Sequence, residues 1–184
     1  NRVGSDCARW DSPALRYPDG TFKFGMGVAS MDFECAPCIT EALQERVKHH
    51  SWGYLSTTEG LRKGILRWNG ERHGVDLDPE SVVISDGVYP GMIAAMRAFV
   101  PRGSKVLLST PAYSGFYTMA RAANVEVVDS QMEYKNGRYE INWDDLESKM
   151  TPDVRAMIVC NPQNPTGNVW REEELLRVGR LCLD

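Results

Sequence analysis

No apolar run in this chain approaches the roughly 18 residues needed to span a membrane, and no basic stripe stands out along its 184 residues. Lys and Arg total 21 against 25 Asp and Glu, for a formal net charge of −4 and a pI near 5.5. The electrostatic footprint of a nucleic-acid binder is therefore missing, and neither nucleic acid nor membrane is expected as a partner. The chain opens at Asn1, without a charged segment leading into an apolar core, so no signal peptide is read and a cytoplasmic location is expected.

The cysteines are too few and too irregular for a secreted disulfide framework: Cys7, Cys35, Cys38, Cys160 and Cys182 are odd in number and share no repeat spacing. Cys35-Ala-Pro-Cys38 mimics a redox pair at a helix start, but its surroundings follow no thioredoxin-like pattern, and a packing role is favoured. His49, His50 and His73 lack the paired spacing of a metal site. Gly25-x-Gly27-x-x-Ser30 lacks both the third glycine and the strand-turn-helix setting of a dinucleotide fingerprint, which excludes NAD. Internal repeats and low-complexity tracts are also missing.

What is present is an ordinary globular composition, 42% hydrophobic and 25% charged, able to bury a real core. Residues 1–23 mix Asp, Ser, Pro and Gly with scattered aromatics and read as an irregular arm, and residues 26–33 read as a short extended segment. From Pro37 to about Lys48, Ile39, Leu43 and Val47 recur at helical spacing, and a second helix is expected over about 61–71. Between these helices lies Trp52-Gly53-Tyr54-Leu55-Ser56-Thr57-Thr58-Glu59-Gly60, a loop in which Thr58 could act as an N-cap.

From there the chain alternates. Strands are predicted over 82–84, 106–108 and 125–128, and helices over about 89–100 and 114–123, an α/β pattern. The first of these helices carries Met92-Ile93-Ala94-Ala95-Met96 with hardly a polar face and is expected to be buried on most sides. Ser85-Asp86-Gly87-Val88-Tyr89 turns into it. That turn is either a plain β-to-α connection or an anion site built from free backbone N–H groups and the positive end of the helix dipole. Lys135-Asn136-Gly137-Arg138 reads as a type I′ hairpin, and 144–149 as a short helix with an acidic start.

The densest signal is Cys160-Asn161-Pro162-Gln163-Asn164-Pro165-Thr166-Gly167, between the apolar run 156–160 and a helix starting near Glu172. Two prolines stiffen the loop, and Gly167 permits a turn that a side chain would hinder. Open α/β sheets bind ligands beyond the carboxyl ends of their strands, and Asn164 is expected to face that crevice. Tyr113, in Ser109-Thr110-Pro111-Ala112-Tyr113, follows another strand end.

Asn-Pro-x-Asn-Pro-Thr-Gly at 161–167 resembles the cofactor loop of the class I/II aminotransferases, which are fold-type I pyridoxal 5′-phosphate (PLP) enzymes. Cys160, Val169-Trp170 and Glu173-Glu174-Leu175 resemble the cystathionine β-lyase-like C–S lyase (MalY/PatB) branch, as do Asn1-Arg2-x-Gly4-Ser5-Asp6 and Arg9-Trp10-Asp11. The resemblance implies a three-layer α/β/α large domain with a mostly parallel sheet over 51–184, preceded by a small-domain or interface segment over 1–50.

It further implies that Asn164 donates to the phenolic oxygen of PLP and that Tyr113 stacks on the ring. Gly87, Val88 and Tyr89 would hold the phosphate through their backbones. Tyr54 would reach the phosphate of the partner in a homodimer. Ser30 stands where that branch usually has Asp, which bears on the choice of amino-acid substrate.

The lysine that holds the cofactor covalently, the aspartate at the pyridine nitrogen and the arginine for the substrate carboxylate are expected beyond Asp184. The chain should therefore be stable only beside the rest of such an enzyme. The expected reaction is α,β-elimination on cystathionine or a related cysteine S-conjugate, giving pyruvate, ammonia and a thiol. Transamination is the alternative, and a further one is a non-catalytic remnant with a binding or regulatory role.

Overall fold

The computed structural model describes residues 2–21, 23–54 and 59–183; Thr58, the expected N-cap, lies outside them. The chain divides into two compact units, 1–57 and 58–184.

The first unit carries α1 (Asp11–Arg16) and α2 (Pro37–Lys48). A helix at 11–16 replaces part of the irregular arm expected from composition, and its cause is local. The Asp11 carboxylate accepts from the backbone N–H groups of Gly4, Ser5 and Cys7 at 2.8–3.1 Å, folding the preceding residues back over the helix start. These bonds hold the carboxyl of Asp11 below its ordinary range, that from Gly4 foremost. Arg9 donates to the carbonyls of Gly25 and Ser30, and Trp10 Nε1 donates to Asp32 Oδ1 at 2.9 Å. Arg9-Trp10-Asp11 is thus a set of staples. Residues 26–33 contain bends and no assigned strand. The helix α2 spans the expected residues, with its apolar positions Ile39, Leu43 and Val47 all exposed in this chain.

The second unit begins with α3 (Glu59–His73), longer at both ends than expected, and continues with a 3-10 turn (Pro79–Ser81) and α4 (Val88–Phe99). Then come β1 (Lys105–Thr110), α5 (Ser114–Ala123), β2 (Glu126–Gln131), β3 (Glu133–Lys135), β4 (Arg138–Glu140), α6 (Trp143–Ser148), β5 (Val154–Ile158) and α7 (Glu172–Leu183). The parallel sheet has the order β2-β1-β5. Its central strand reads Val106-Leu107-Leu108, a continuous apolar run, because both of its faces are covered.

Alternation along β1 sorts the two cores. Val106 and Leu108 join Met96 and Val100 at the end of α4 and Phe116, Met119, Ala120 and Ala123 of α5. Leu107 faces the opposite way, into a cluster with Leu146 of α6, Val178 of α7, and Trp170. Helices on both faces of a parallel sheet make the three-layer α/β/α architecture. Each fully buried aliphatic side chain here contributes about 1.5–3 kcal/mol of transfer free energy.

Two expectations are corrected. Residues 82–84 form no strand: no described strand pairs with them and Val83 is exposed, and without a ladder partner the β-branched run cannot fix a strand. The helix α4 is not buried on most sides either. Met96 is buried, and Met92 and Ile93 pack against the first core, but Val88 and Phe99 are exposed. Only one stripe of α4 finds a covering surface, chiefly α5. The hairpin is as expected, with Asn136 and Gly137 both at positive φ (50° and 79°) between paired Lys135 and Arg138.

Candidate functional site

The site is built where β1 and β5 end on the same side of the sheet. Their backbone pairing stops at Leu108↔Ile158, while β1 runs on to Thr110 beside β2. Beyond this point the two chains diverge into the segments that carry Tyr113 and Asn164.

The 160–170 loop is held by its own side chains. Asn161 Oδ1 accepts from the N–H of Trp170 at 3.1 Å, and Trp170 Nε1 donates to the Cys160 carbonyl at 2.9 Å. The N–H of Gln163 donates to the Asn168 carbonyl at 2.7 Å, and the N–H of Gly167 donates to the Gln163 carbonyl at 2.6 Å. Gly167 turns the chain at φ 75°, a region that favours glycine. Asn168 Nδ2 donates to the carbonyl of Tyr139 in the hairpin.

From outside, Arg138 Nη2 donates to the Val169 carbonyl at 3.0 Å and pairs with Glu174 Oε2 at 3.2 Å. The same Glu174 oxygen accepts from the N–H of Arg171 at 2.7 Å, a capping interaction that starts α7.

These bonds use Asn161, Gln163 and Asn168, whereas Asn164 is exposed and its side chain has no hydrogen-bond partner among the described residues. Asn164 is thus the side-chain amide of this loop that is left without an internal partner. Its two N–H donors and carbonyl suit a planar polar ligand.

Tyr113 begins α5. Its ring is part-exposed and meets Phe116 edge-on, with centroids 5.5 Å apart and planes at 88°. Gly115 makes this position possible, because a Cβ there would sit 2.6 Å from Cζ and 2.9 Å from Cδ1 of the Tyr113 ring. Nothing in the sequence marks Gly115, because a glycine in the first turn of a helix carries no local signal.

The third segment is Ser85-Asp86-Gly87-Val88-Tyr89. No strand precedes it, so two strand ends converge on the site instead of the expected three. Gly87 caps α4 at φ 125°, a conformation that favours glycine, and forms no side-chain cap. Pro90 has no N–H, and the intrahelical bonding starts with the N–H of Gly91 donating to the Gly87 carbonyl at 3.2 Å. The N–H groups of Val88 and Tyr89 precede that bond, as helix-start donors do. Met92 and Ile93, one turn on, pack against the core that also takes in Ala112 and Cys160, the residues flanking the other two segments. Tyr54 lies in the first unit and is fully exposed.

Lys48, Lys63, Lys105, Lys135 and Lys149 each pair with a carboxylate. The hydrogen bond from Lys105 to Asp153 raises the Lys105 amine above its ordinary value, and Glu133 does the same to Lys135. A nucleophilic lysine needs the opposite shift.

Residues 21–184 match the family model for aminotransferase class I and II. The chain belongs to that family. It is 36% identical to cystathionine beta-lyase PatB of Bacillus subtilis, over all of this chain and 47% of that protein. With protein MalY of Escherichia coli it shares 30% identity over 99% of this chain and 47% of the relative. Among solved structures it superposes with a TM-score of 0.90 on cystalysin from Treponema denticola, which contains a pyridoxal 5′-phosphate cofactor. That match is at 27% identity over all of this chain and 47% of cystalysin. The chain spans about half the length of the relatives it matches.

The chemistry of these groups, an uncapped helix start for an anion, an amide without an internal partner and an exposed aromatic ring, suits a planar, anionic ligand such as pyridoxal 5′-phosphate.

Proposed function

We propose that the protein containing this chain is a PLP-dependent C–S lyase that performs α,β-elimination on cystathionine or a related cysteine S-conjugate. The observation that carries the reading is the loop at 160–170, whose Asn161, Gln163 and Asn168 side chains tie it to itself, to the Ser109–Pro111 segment that leads to Tyr113 and to the hairpin, while Asn164 is left without an internal partner. The choice of the lyase branch is supported by the 36% identity to a cystathionine beta-lyase along the whole chain.

When bound, PLP supplies an electron-poor ring that takes up the electron pair released at the amino acid's α-carbon. The residues of this chain bind and orient. Asn164 donates to the cofactor's phenolic oxygen, Tyr113 covers one face of the ring, and the backbone N–H groups of Gly87, Val88 and Tyr89 receive the phosphate at the positive end of α4. Tyr54 donates its phenol to the phosphate bound by the partner in a homodimer, adding a donor without adding charge. The lysine that would hold the cofactor covalently is assigned to the part of the protein beyond residue 184, and the raised amines of Lys105 and Lys135 suit neither of them to that role. A location in the cytoplasm is part of the same reading.

Full-length protein incubated with PLP and cystathionine should release pyruvate and a free thiol. Amino-group transfer to a keto acid without thiol release would instead establish the aminotransferase reading, which the family's own description supports. Tyr54→Phe should weaken PLP retention by about 1–3 kcal/mol, the worth of a hydrogen bond to a charged group. Unchanged affinity on equilibrium dialysis would remove Tyr54 from the site.

A further inference from the structure

Gln163 of the 161–167 loop is buried, with 4% of its surface exposed. Its Nε2 donates to the carbonyl of Ser109 at 3.0 Å and to that of Pro111 at 2.9 Å. The backbone ladder between β1 and β5 ends at Leu108↔Ile158. The Gln163 amide therefore continues that ladder with a side chain, where the diverging backbones no longer pair. Pro111 stands two residues before Tyr113, and Gln163 stands one before Asn164.

A primary amide suits this task because one nitrogen presents two N–H donors at a fixed angle, one for each carbonyl. A carboxylate would offer only acceptors to two carbonyl oxygens, and an aliphatic side chain would leave both without their donor. Being neutral, the bridge adds no charge beside a site that must receive an anion.

We propose that Gln163 is a positioning residue of the site: it sets the separation of Asn164 from Tyr113, so that an amide and an aromatic ring engage the same planar, anionic cofactor together. The proposal rests on the reading of the site as a PLP site. The side-chain hydrogen bonds of Gln163 go to the two carbonyls, so it acts through Asn164 and not on the ligand.

The test uses full-length protein, with PLP affinity measured by titration, the absorption maximum of the bound cofactor, and Tm. Gln163→Leu should weaken PLP binding by roughly tenfold and move the absorption maximum. Gln163→His, which can offer a single donor to the pair, should recover part of both. In an Asn164→Ala background, Gln163→Leu should cost little more affinity, because the residue it positions is gone.

A purely structural role would lower Tm while the affinity losses of Gln163→Leu and Asn164→Ala simply added, and that result overturns the proposal. So does unchanged affinity and spectrum in Gln163→Leu. If Gln163→Leu does not fold, Gln163→His decides by the same criterion, additive or unchanged affinity being the overturning result. Failure of the unsubstituted protein to bind PLP would remove the cofactor reading together with this one, whereas normal binding that is indifferent to Gln163 would remove this one alone.

Discussion

The central strand β1 is fastened to β5 at both ends, by opposite means. At its start, Lys105 Nζ meets Asp153 Oδ2 at 2.7 Å and the Lys105 N–H donates to the Asp153 carbonyl at 2.7 Å, an exposed link that doubles a charge pair on a backbone bond. At its finish the link is the neutral, buried amide of Gln163. The first end is closed on itself, with the Lys105 and Asp153 charges answering each other. The second end is tied from beneath, so that Asn164 and Tyr113 remain available above it. One end of the sheet serves cohesion and the other presents the groups of the proposed site, and the division follows from which polar groups are satisfied internally.

The largest expected effect lies between the ends. Leu107→Ala removes a fully buried side chain from the core under α6 and α7 and should cost about 2–5 kcal/mol, read as a lowered midpoint in urea unfolding of the full-length protein. It sets the scale against which either end is judged.

Asn164→Ala comes next. It should weaken PLP binding by about 1–3 kcal/mol while leaving Tm nearly unchanged, because its side chain supports nothing in the fold. A fall in Tm comparable to that of Leu107→Ala would break the division between the ends.

Gly115→Ala sharpens the comparison further. The added methyl must displace the Tyr113 ring, so cofactor affinity should drop by about 1 kcal/mol through ring position alone. Restoration of affinity in Gly115→Ala/Tyr113→Phe to no better than the single variant is expected, since the ring and not the hydroxyl is obstructed.

The smallest effect belongs to the charged end. The hydrogen bond from Lys105 is the largest influence pushing the Asp153 carboxyl down to about 2, with Thr151 adding to it. Its ordinary value is about 3.9. A carboxyl depressed in the folded state adds stability that is fully present above about pH 4 and is lost as pH falls toward 2. Tm should therefore decline over that interval, and Asp153→Asn should make the decline shallower. Equal slopes would show that the pair does not couple folding to pH.

Local chemistry made the loops and most helices legible. Pro37 at a helix start, Asn136-Gly137 at a turn and the two prolines of the 161–167 loop each act on their own backbone, so their effects can be read without neighbours. Failures occurred where the outcome depends on a distant partner. Residues 82–84 have the β-branched composition of a strand but no ladder to join among the described residues. Likewise, α4 has an apolar circumference of which only one stripe is covered in this chain. Within the candidate site, Asn164 and Tyr113 lie in contiguous motifs that a sequence displays, whereas the Gln163 bridge joins residues 52 and 54 apart. Gly115 matters only through the ring placed over it. The N-terminal staples escaped for a related reason, since composition cannot show that Asp11 gathers three backbone N–H groups or that Trp10 reaches Asp32.

The hairpin of β3 and β4 carries a practical consequence. Its exposed tip at Asn136-Gly137 is remote in sequence from the 160–170 loop, yet Arg138 and Tyr139, one and two residues beyond the tip, hold that loop through Val169 and Asn168. A spectroscopic label at Asn136 would thus sit outside the ligand's reach while attached to the same rigid piece of backbone. Its mobility would register whether the loop is seated, offering a readout of site order that needs neither substrate nor turnover.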